Sequence, residues 1–478
     1  KRMYWIFIKY LLNTFVLLIC LIFKPLESKD FNEFVQDFEK IGISNKSIGI
    51  SIVQIPTTIY PIDTNTKSFG LNQTLSFNPA STIKLLTTRV AYDLIGKNHR
   101  FETKLATNGK IIQGVLYGDI FFIGGGDPKL VIEDIEQIVY QLRALGLNEI
   151  RGDWIVDDYL FDNPEVNPSS FDGQPMKPYN VGPNAAMVNF KASELTIKNL
   201  KRGRFYIELK PELAGIKVTK KLVRVRGGCY RNMITTSLTD KSLRVFGKIG
   251  DKCKKYSFYV SLMNHYQFGF SVFKKAWIKA GGKISGSALR GKNPKNSKVL
   301  LKWKSPRPLI SLIKDINTMS NNPMARTLFL NLSAGSNYPA SISRSREVID
   351  EWLVERNFVF PKLIVHNGSG LSRKVRISSS SLTYLLIDAL TDSHSLEWLN
   401  TLPKVGQEGT VSQRFKNKSV VGNAWLKTGS LRGVQAYSGY IRTARKNWFA
   451  VTILVNSKYA EKAKQTMDKL VEWVYQEQ

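Results

Sequence analysis

Ser81-Thr82-Ile83-Lys84 stands at the head of a stretch in which Ile83, Leu86, Val90 and Leu94 recur at helical spacing. Asn78 suits a helix cap and Pro79 a first helical turn, so the pattern predicts an amphipathic helix with Ser81 in its first turn. Residues three apart share a helix face, which puts Lys84 within reach of the Ser81 hydroxyl. A serine hydroxyl is a poor nucleophile until a base takes its proton, and a lysine is a base only when neutral. The pair therefore asks the chain to bury Lys84 and to bring a second cation near it, since both lower an amine's pKa. Candidates to complete such a site lie far away. Roughly 235 residues separate Lys84 from Ser320-Asn321-Asn322, more than one compact domain needs to join its parts, so another folded unit must lie between.

Ser320-Asn321-Asn322 reads S-x-N, and Lys427-Thr428-Gly429 reads K-T-G. Each motif alone is weak: S-x-x-K recurs at Ser271–Lys274 and Ser311–Lys314, and S-x-N at Ser76–Asn78. Context selects Ser81, which opens a helix and precedes the other two motifs in order. Such a trio is the signature of serine β-lactamases and penicillin-binding proteins. Longer elements narrow the likeness. Asn367-Gly368-Ser369-Gly370-Leu371-Ser372-Arg373 resembles the D-G-S-G-L-S-R signature of low-molecular-mass class C penicillin-binding proteins, with Asn367 replacing the usual Asp. Leu402-Pro403, Gly406 and Gly409-Thr410 resemble that family's L-P-x-x-G-x-x-G-T element, and Ile123–Pro128 its G-G-G-D-P turn. From about residue 40 to the end, the chain resembles the D-alanyl-D-alanine carboxypeptidase/endopeptidase family, often called penicillin-binding protein 4 or DacB.

The resemblance implies roles. Ser81 would be the nucleophile and Lys84 its base, with Lys427 helping to lower the Lys84 pKa. Backbone N–H groups of Ser81 and Ser430 would hold the developing oxyanion; one such donor is typically worth ~10²–10³ in rate. Lys427 and Thr428, with Gly429 beside them, would receive the substrate's terminal carboxylate. Ser320 would relay a proton to the leaving amine, and Asn322 would orient Lys84 and the substrate amide. Arg373 matches a family arginine that faces the substrate. No metal or organic cofactor is implied.

The implied fold is α+β and multidomain: a serine β-lactamase/transpeptidase-like catalytic domain, an antiparallel sheet flanked by helices, with a large β-rich insertion. Residues 29–100 and 296–478 are expected to form the catalytic domain and 101–295 the insertion, with an inner subdomain at about 180–255. The texture agrees. Alternation over Ser47–Ile55 reads as a strand, and short β-like runs such as Val115–Ile123 and Arg204–Leu209 fill the middle. The Gly124-Gly125-Gly126 run reads as a turn, because no Gly-Lys-Ser/Thr follows it. Helical periodicity returns at Leu309–Met319 and Met324–Leu332. Ala424–Thr428, Val434–Arg442 and Trp448–Asn456 read as hairpinned strands, and Ala463, Met467, Leu470, Val471 and Val474 mark a closing helix.

Lys1, Arg2 and Lys9, then the apolar Tyr10–Phe23, then a polar flank, read as an export signal or an uncleaved N-terminal anchor over residues 1–28. That expectation places the protein in the periplasm or at the cell surface. Past that segment only Cys229 and Cys253 remain, and in an exported chain a pair reads as a disulfide before a metal site. The net charge of +31, from 69 basic and 38 acidic residues, suits a polyanionic partner, here an anionic envelope polymer. No zinc-finger, RRM or helix-turn-helix signature points to nucleic acid. Without a G-x-S-x-G elbow, His99, His265, His366 and His394 read as ordinary polar or packing residues. Asp157 and Asp158 read as loop residues, and no spacing marks a glycosidase acid and base. The expected activity is a serine DD-peptidase acting on peptidoglycan stem peptides and acylated by β-lactam antibiotics. A β-lactamase and a non-catalytic wall-binding protein on the same fold are the alternatives.

Overall fold

The structure is a computed structural model that describes residues 29–56, 66–162, 166–200, 204–230, 233–239, 242–335, 338–391 and 395–477. The expected signal or anchor lies outside these residues. Among them, no helix is long and apolar enough to cross a membrane. The chain divides into two compact units: one combines residues up to 99 with 308–333 and 340–478, the other holds 100–307 and 334–339.

The first unit begins with helix α1 (Lys29–Lys40), strands β1 (Ile48–Ile55) and β2 (Ser68–Leu71), and helix α2 (Lys84–Leu94). The second begins with β3 (Glu102–Thr107), β4 (Ile120–Ile123), α3 (Ile132–Ala144) and β5 (Trp154–Asp157). It continues through β6 (Ser193–Asn199), β7 (Phe205–Lys210), β8 (Lys217–Val225), β9 (Ile234–Thr239), β10 (Ser242–Gly250) and β11 (Lys255–Val260). It closes with α4 (His265–Lys279), β12 (Ala288–Arg290) and β13 (Lys298–Lys304). The first unit resumes with α5 (Leu309–Met319), α6 (Asn322–Asn331) and α7 (Ser379–Thr391). Strands β14 (Ala424–Leu431), β15 (Val434–Arg442) and β16 (Trp448–Asn456) and helix α8 (Ala463–Glu477) complete it.

In the first unit the strands form one antiparallel sheet in the order β2-β1-β16-β15-β14. β1 pairs along its whole length with β16, from Ile48 opposite Val455 to Ile55 opposite Trp448. Alternation along the strands sends Ile48, Ile50, Ile52, Val451, Ile453 and Val455 to one face, where Phe38 of α1 and Met467, Leu470, Val471 and Val474 of α8 pack over them. Burying each such side chain is worth about 1.5–3 kcal/mol. On the other face, Thr383 of α7 donates to the Ser51 carbonyl at 3.3 Å and Tyr440 to the Leu386 carbonyl at 2.7 Å. With helices on both faces β1 is buried except at Gln54, and the small residues Gly49 and Ser51 alternate with its isoleucines.

The second unit holds a mixed five-stranded sheet, β12-β5-β4-β3-β13, and two three-stranded sheets, β7-β6-β11 and β8-β10-β9. They share a core in which Phe122, Trp154, Phe273 and Trp277 meet Leu195, Leu243, Val245 and Ile249. Trp154 stacks on Phe273 with ring centroids 4.0 Å apart. Cys229 and Cys253 are joined in a disulfide. Several expectations for this stretch need correction. The stretch is β-rich and also carries the helices α3 and α4, and the run Val115–Ile123 is two strands, Val115–Tyr117 and β4. Asp157 ends β5, and Asp158 is a buried ion-pair residue, 2.8 Å from Arg290 Nε and 2.6 Å from Asn184 Nδ2. A carboxylate taken out of water needs such donors, whatever loop it stands in.

Candidate active site

Ser81 sits in one 3-10 turn, Ala80–Ile83, that leads directly into α2. The entry differs from the expected cap. Pro79 holds the cap position, and the Asn78 side chain accepts from the Ala80 amide at 2.9 Å, two residues on, instead of from the helix. Asn78 is also clamped by Asn456, which accepts from its backbone N–H at 2.8 Å and donates to its carbonyl at 3.0 Å. Ala80 adopts φ +46°, a left-handed conformation rare for a residue with a Cβ. Nor is α2 amphipathic: every residue from Lys84 to Tyr92 is buried.

Lys84 is fully buried. Its Nζ lies 2.8 Å from Ser81 Oγ and 2.7 Å from Asn322 Oδ1, and it also meets the Ser369 carbonyl oxygen. An amide oxygen and a carbonyl oxygen can only accept. A neutral amine has two N–H donors and one lone pair; the two oxygens take the donors, and the lone pair is left facing the Ser81 hydroxyl. The electrostatics act in the same direction. Burial first, then the charges of Lys427 and Arg326, hold the Lys84 ammonium well below its ordinary range.

Ser320 is the C-cap of α5 at φ +57°, and Asn321 caps α6 by accepting from Met324 N at 3.0 Å. This left-handed break sends Ser320 and Asn322 from two helix ends into one space. Lys427, on β14 and fully buried, donates to Ser320 Oγ at 2.9 Å and to the Thr428 carbonyl at 2.8 Å. Burial lowers its pKa to about 7. The Thr428 and Thr410 hydroxyls are 2.8 Å apart. Gly429 lies against the backbone around Ser81: a Cβ there would stand 2.7 Å from the Pro79 oxygen and 2.9 Å from Ser81 N. Ser430 is exposed, and its Oγ accepts from Gln435 Nε2 at 2.8 Å.

The loop that supplies the Ser369 carbonyl is held by Asn367. Its Oδ1 accepts from Ser369 N at 3.1 Å and Ser369 Oγ at 2.9 Å, and its Nδ2 donates to the Leu371 carbonyl at 3.1 Å. The last bond needs an amide, so the residue that departs from the family pattern is fitted to its own loop. Gly370, at φ +80°, passes so near the Ala80 carbonyl that a Cβ would lie 1.9 Å from its oxygen.

The structure thus brings Ser81, Lys84, Ser320, Asn322, Lys427, Thr428 and Gly429 into one cluster. Arg373 is exposed, and its Nη1 donates to the Arg432 carbonyl at 2.6 Å, at the turn after β14. Four contributors were not singled out from the sequence. Arg326 is one helical turn beyond Asn322, a spacing that marks a shared face. Ser369 and Thr410 lie inside elements already noted for their likeness, although a backbone carbonyl leaves no residue-type signal. Gln435 carries no sequence signal. Of the histidines, His265 is half-buried, its imidazole pKa pushed down to about 3 by desolvation, while His394 lies outside the described residues. Among the described residues no cluster of His, Cys, Asp or Glu is arranged to hold a metal ion.

Known proteins resemble this chain over most of its length. The family model "D-Ala-D-Ala carboxypeptidase 3 (S13)" matches residues 41–477. D-alanyl-D-alanine carboxypeptidase DacB of Haemophilus influenzae is 25% identical over 397 residues, covering 79% of this chain and 80% of that protein. D-alanyl-D-alanine carboxypeptidase of Actinomadura sp. strain R39 is 23% identical over 387 residues, 76% of this chain and 70% of that one. The crystal structure of penicillin binding protein 4 (dacB) from H. influenzae has the same fold, with a TM-score of 0.75 at 23% identity, over 92% of this chain and 99% of that one. With a family match over nearly its whole described length, the chain belongs to the D-Ala-D-Ala carboxypeptidase 3 (S13) family of serine-type peptidases.

Proposed function

We infer that the protein is an exported serine DD-peptidase that cleaves D-Ala-D-Ala, or a D-Ala cross-link to a diamino acid, in peptidoglycan stem peptides, and that penicillins acylate it. The observation that carries this reading is the Lys84 amine, buried against two pure acceptors with its remaining valence toward Ser81. In the proposed reaction Lys84 Nζ takes the Ser81 proton as Oγ bonds to the carbonyl carbon of the penultimate D-Ala. The carbonyl oxygen becomes an oxyanion, held by the N–H groups of Ser81 and Ser430. The C–N bond then breaks as the proton held by Lys84 passes through Ser320, which Lys427 contacts, to the leaving amine, so that Lys84 returns to the neutral amine. Water hydrolyses the ester with Lys84 again as base. Lys427 in its cationic form and the Thr428 hydroxyl receive the terminal carboxylate, and Asn322 holds Lys84 in place. Arg373, whose Nη1 is anchored on the Arg432 carbonyl, has further guanidinium N–H donors for the substrate. Residues 101–295 are read as an insertion carried between the nucleophile helix and Ser320. The excess of positive charge makes an anionic envelope polymer the second partner in this reading.

The test is intact-protein mass after brief exposure to benzylpenicillin. The parent is expected to gain one penicillin and Ser81→Ala none. Slow loss of the adduct supports the peptidase, and rapid loss with antibiotic turnover supports a β-lactamase. An adduct on Ser81→Ala, or no adduct on either, overturns the assignment.

A further inference from the structure

The sheet β8-β10-β9 has two faces with opposite treatment of their cations. Register places Val218, Lys220, Leu222 and Arg224 of β8 beside Leu243, Val245 and Ile249 of β10, on the face toward the core. The cations on that face are spent on structure. Lys220 donates to the Phe205 carbonyl, and Arg224 to Asn199 Oδ1 at 2.6 Å and the Leu200 carbonyl at 2.7 Å.

The outer face is different. Lys217 and Lys221 of β8 and Arg244 and Lys248 of β10 are all exposed, and among the described residues none has an ion-pair or hydrogen-bond partner. The other side chains there are Thr219, Val223, Val225, Ser242 and Phe246, with Thr235, Ser237 and Thr239 of β9; no acidic side chain is among them. Phe246, 39% exposed, stands opposite Lys221, and Val223, 55% exposed, opposite Lys248.

Edge strands often carry lysine to block sheet-to-sheet pairing, which accounts for Lys217 and Lys221. It does not account for Arg244 and Lys248, because β10 is the central strand. The register staggers the four charges. Lys217 pairs with Ser242, Arg244 with Thr219, Lys221 with Phe246 and Lys248 with Val223, so a cation appears every second residue, alternately on two neighbouring strands. At ~3.3 Å per residue that is a zigzag row with steps of about 6.6 Å and a length of about 20 Å. A row of that kind is complementary to a flexible linear chain with one negative charge per monomer.

We propose that the outer face of β8-β10-β9 binds a linear phosphate-bearing polymer of the cell envelope, with Lys217, Arg244, Lys221 and Lys248 on successive phosphates and Phe246 and Val223 against the backbone between them. The choice of an envelope polymer rests on the exported reading above; the surface itself does not depend on the acyl-transfer chemistry.

The test uses the full chain and a synthetic poly(glycerol phosphate), titrated by fluorescence anisotropy at several salt concentrations. Four phosphate contacts predict a slope of log K against log salt of about −3. The double variant Lys221→Gln/Arg244→Gln is expected to lose roughly tenfold or more at 0.1 M salt and to flatten the slope by about 1.4. A control, Lys283→Gln/Lys298→Gln, removes two exposed charges from other strands of the same unit and is expected to bind within twofold of the parent. Equal losses in both variants would reduce the effect to net charge and overturn the proposal, as would no binding by the parent at 50 mM salt. Tighter binding to phosphatidylglycerol vesicles than to the polymer would assign the face to a lipid surface instead. Benzylpenicillin acylation is expected to be unchanged in both variants, so a fault in the catalytic reading shows separately.

Discussion

Replacing Gly429 by alanine tests the site through its shape, with every polar group left in place. An ideal Cβ at 429 would lie 2.7 Å from the Pro79 oxygen, 2.9 Å from Ser81 N and 3.0 Å from Ala80 Cβ. Two of these three neighbours are backbone atoms, so no side chain can rotate away to make room. The segment Pro79–Ser81 or strand β14 must shift by several tenths of an ångström. Pro79–Ser81 has little freedom, because Asn78 is clamped at both backbone groups and Ala80 already sits at φ +46°. The shift therefore falls on the Ser81 N–H and on the strand carrying Ser430, the two proposed oxyanion donors. Loss of one such donor costs about 10²–10³ in rate, and a misplaced reacting geometry about as much. Overpacking in a filled interior costs about 1–3 kcal/mol of stability, small enough to leave a folded protein. The assay is the second-order rate of benzylpenicillin acylation, with thermal unfolding as the check on folding. Gly429→Ala is expected to fold and to acylate ~10²–10³ more slowly. A folded variant acylating within threefold of the parent would show that this contact does not position the oxyanion donors.

Two further outcomes follow from the same geometry. Lys427, with its pKa lowered by burial to about 7, is mostly cationic below that pH and loses its proton above it. Acylation by a carboxylate-bearing penicillin is expected to fall as pH rises through about 7, and Lys427→Arg, always charged, to remove that alkaline fall; a parent rate that is flat from pH 6 to 9 contradicts the reading. The same sign governs stability: a lysine whose folded pKa is depressed costs most below that pKa, so its penalty fades from about pH 7 upward. The disulfide joins residues 24 apart, a loop worth about 3 kcal/mol in the chain-entropy account, so Cys229→Ser/Cys253→Ser is expected to lower the unfolding temperature while leaving acylation intact. An unchanged unfolding temperature would show that the reduced chain is already held by its neighbours.

What could be read from the sequence was what side-chain type and spacing record. The Ser81–Lys84 pair, the closing strands and α8 follow from periodicity, and the motifs supplied Ser320, Asn322 and Lys427. α3 also carries a helical pattern, Ile135, Ile138, Val139 and Leu142, which the surrounding short β runs overshadowed. α4 is harder, since Phe268, Val272, Phe273 and Trp277 are residue types that strands favour equally. Asn78 bonds Ala80 locally, but no residue type announces that Ala80 is left-handed, because Asn456 and Gly370 brace that turn from across the fold. The Ser369 oxygen, one of three partners of Lys84, belongs to the backbone and has no residue identity to read.

The pairing of β1 with β16 has a consequence in time. Ser81 and Lys84 are synthesised well before the amide oxygen of Asn322, the carbonyl of Ser369 and the ammonium of Lys427, which follow about 240 to 340 residues later. Until then Lys84 is an ordinary solvated ammonium, and Ser81 an ordinary alcohol. The strand that seals the sheet beneath them, β16, comes last of all, so β1 waits about 400 residues for its partner. A partly made chain carries no acyl-transfer chemistry, and a cell that makes this protein is spared a working hydrolase before the molecule is whole.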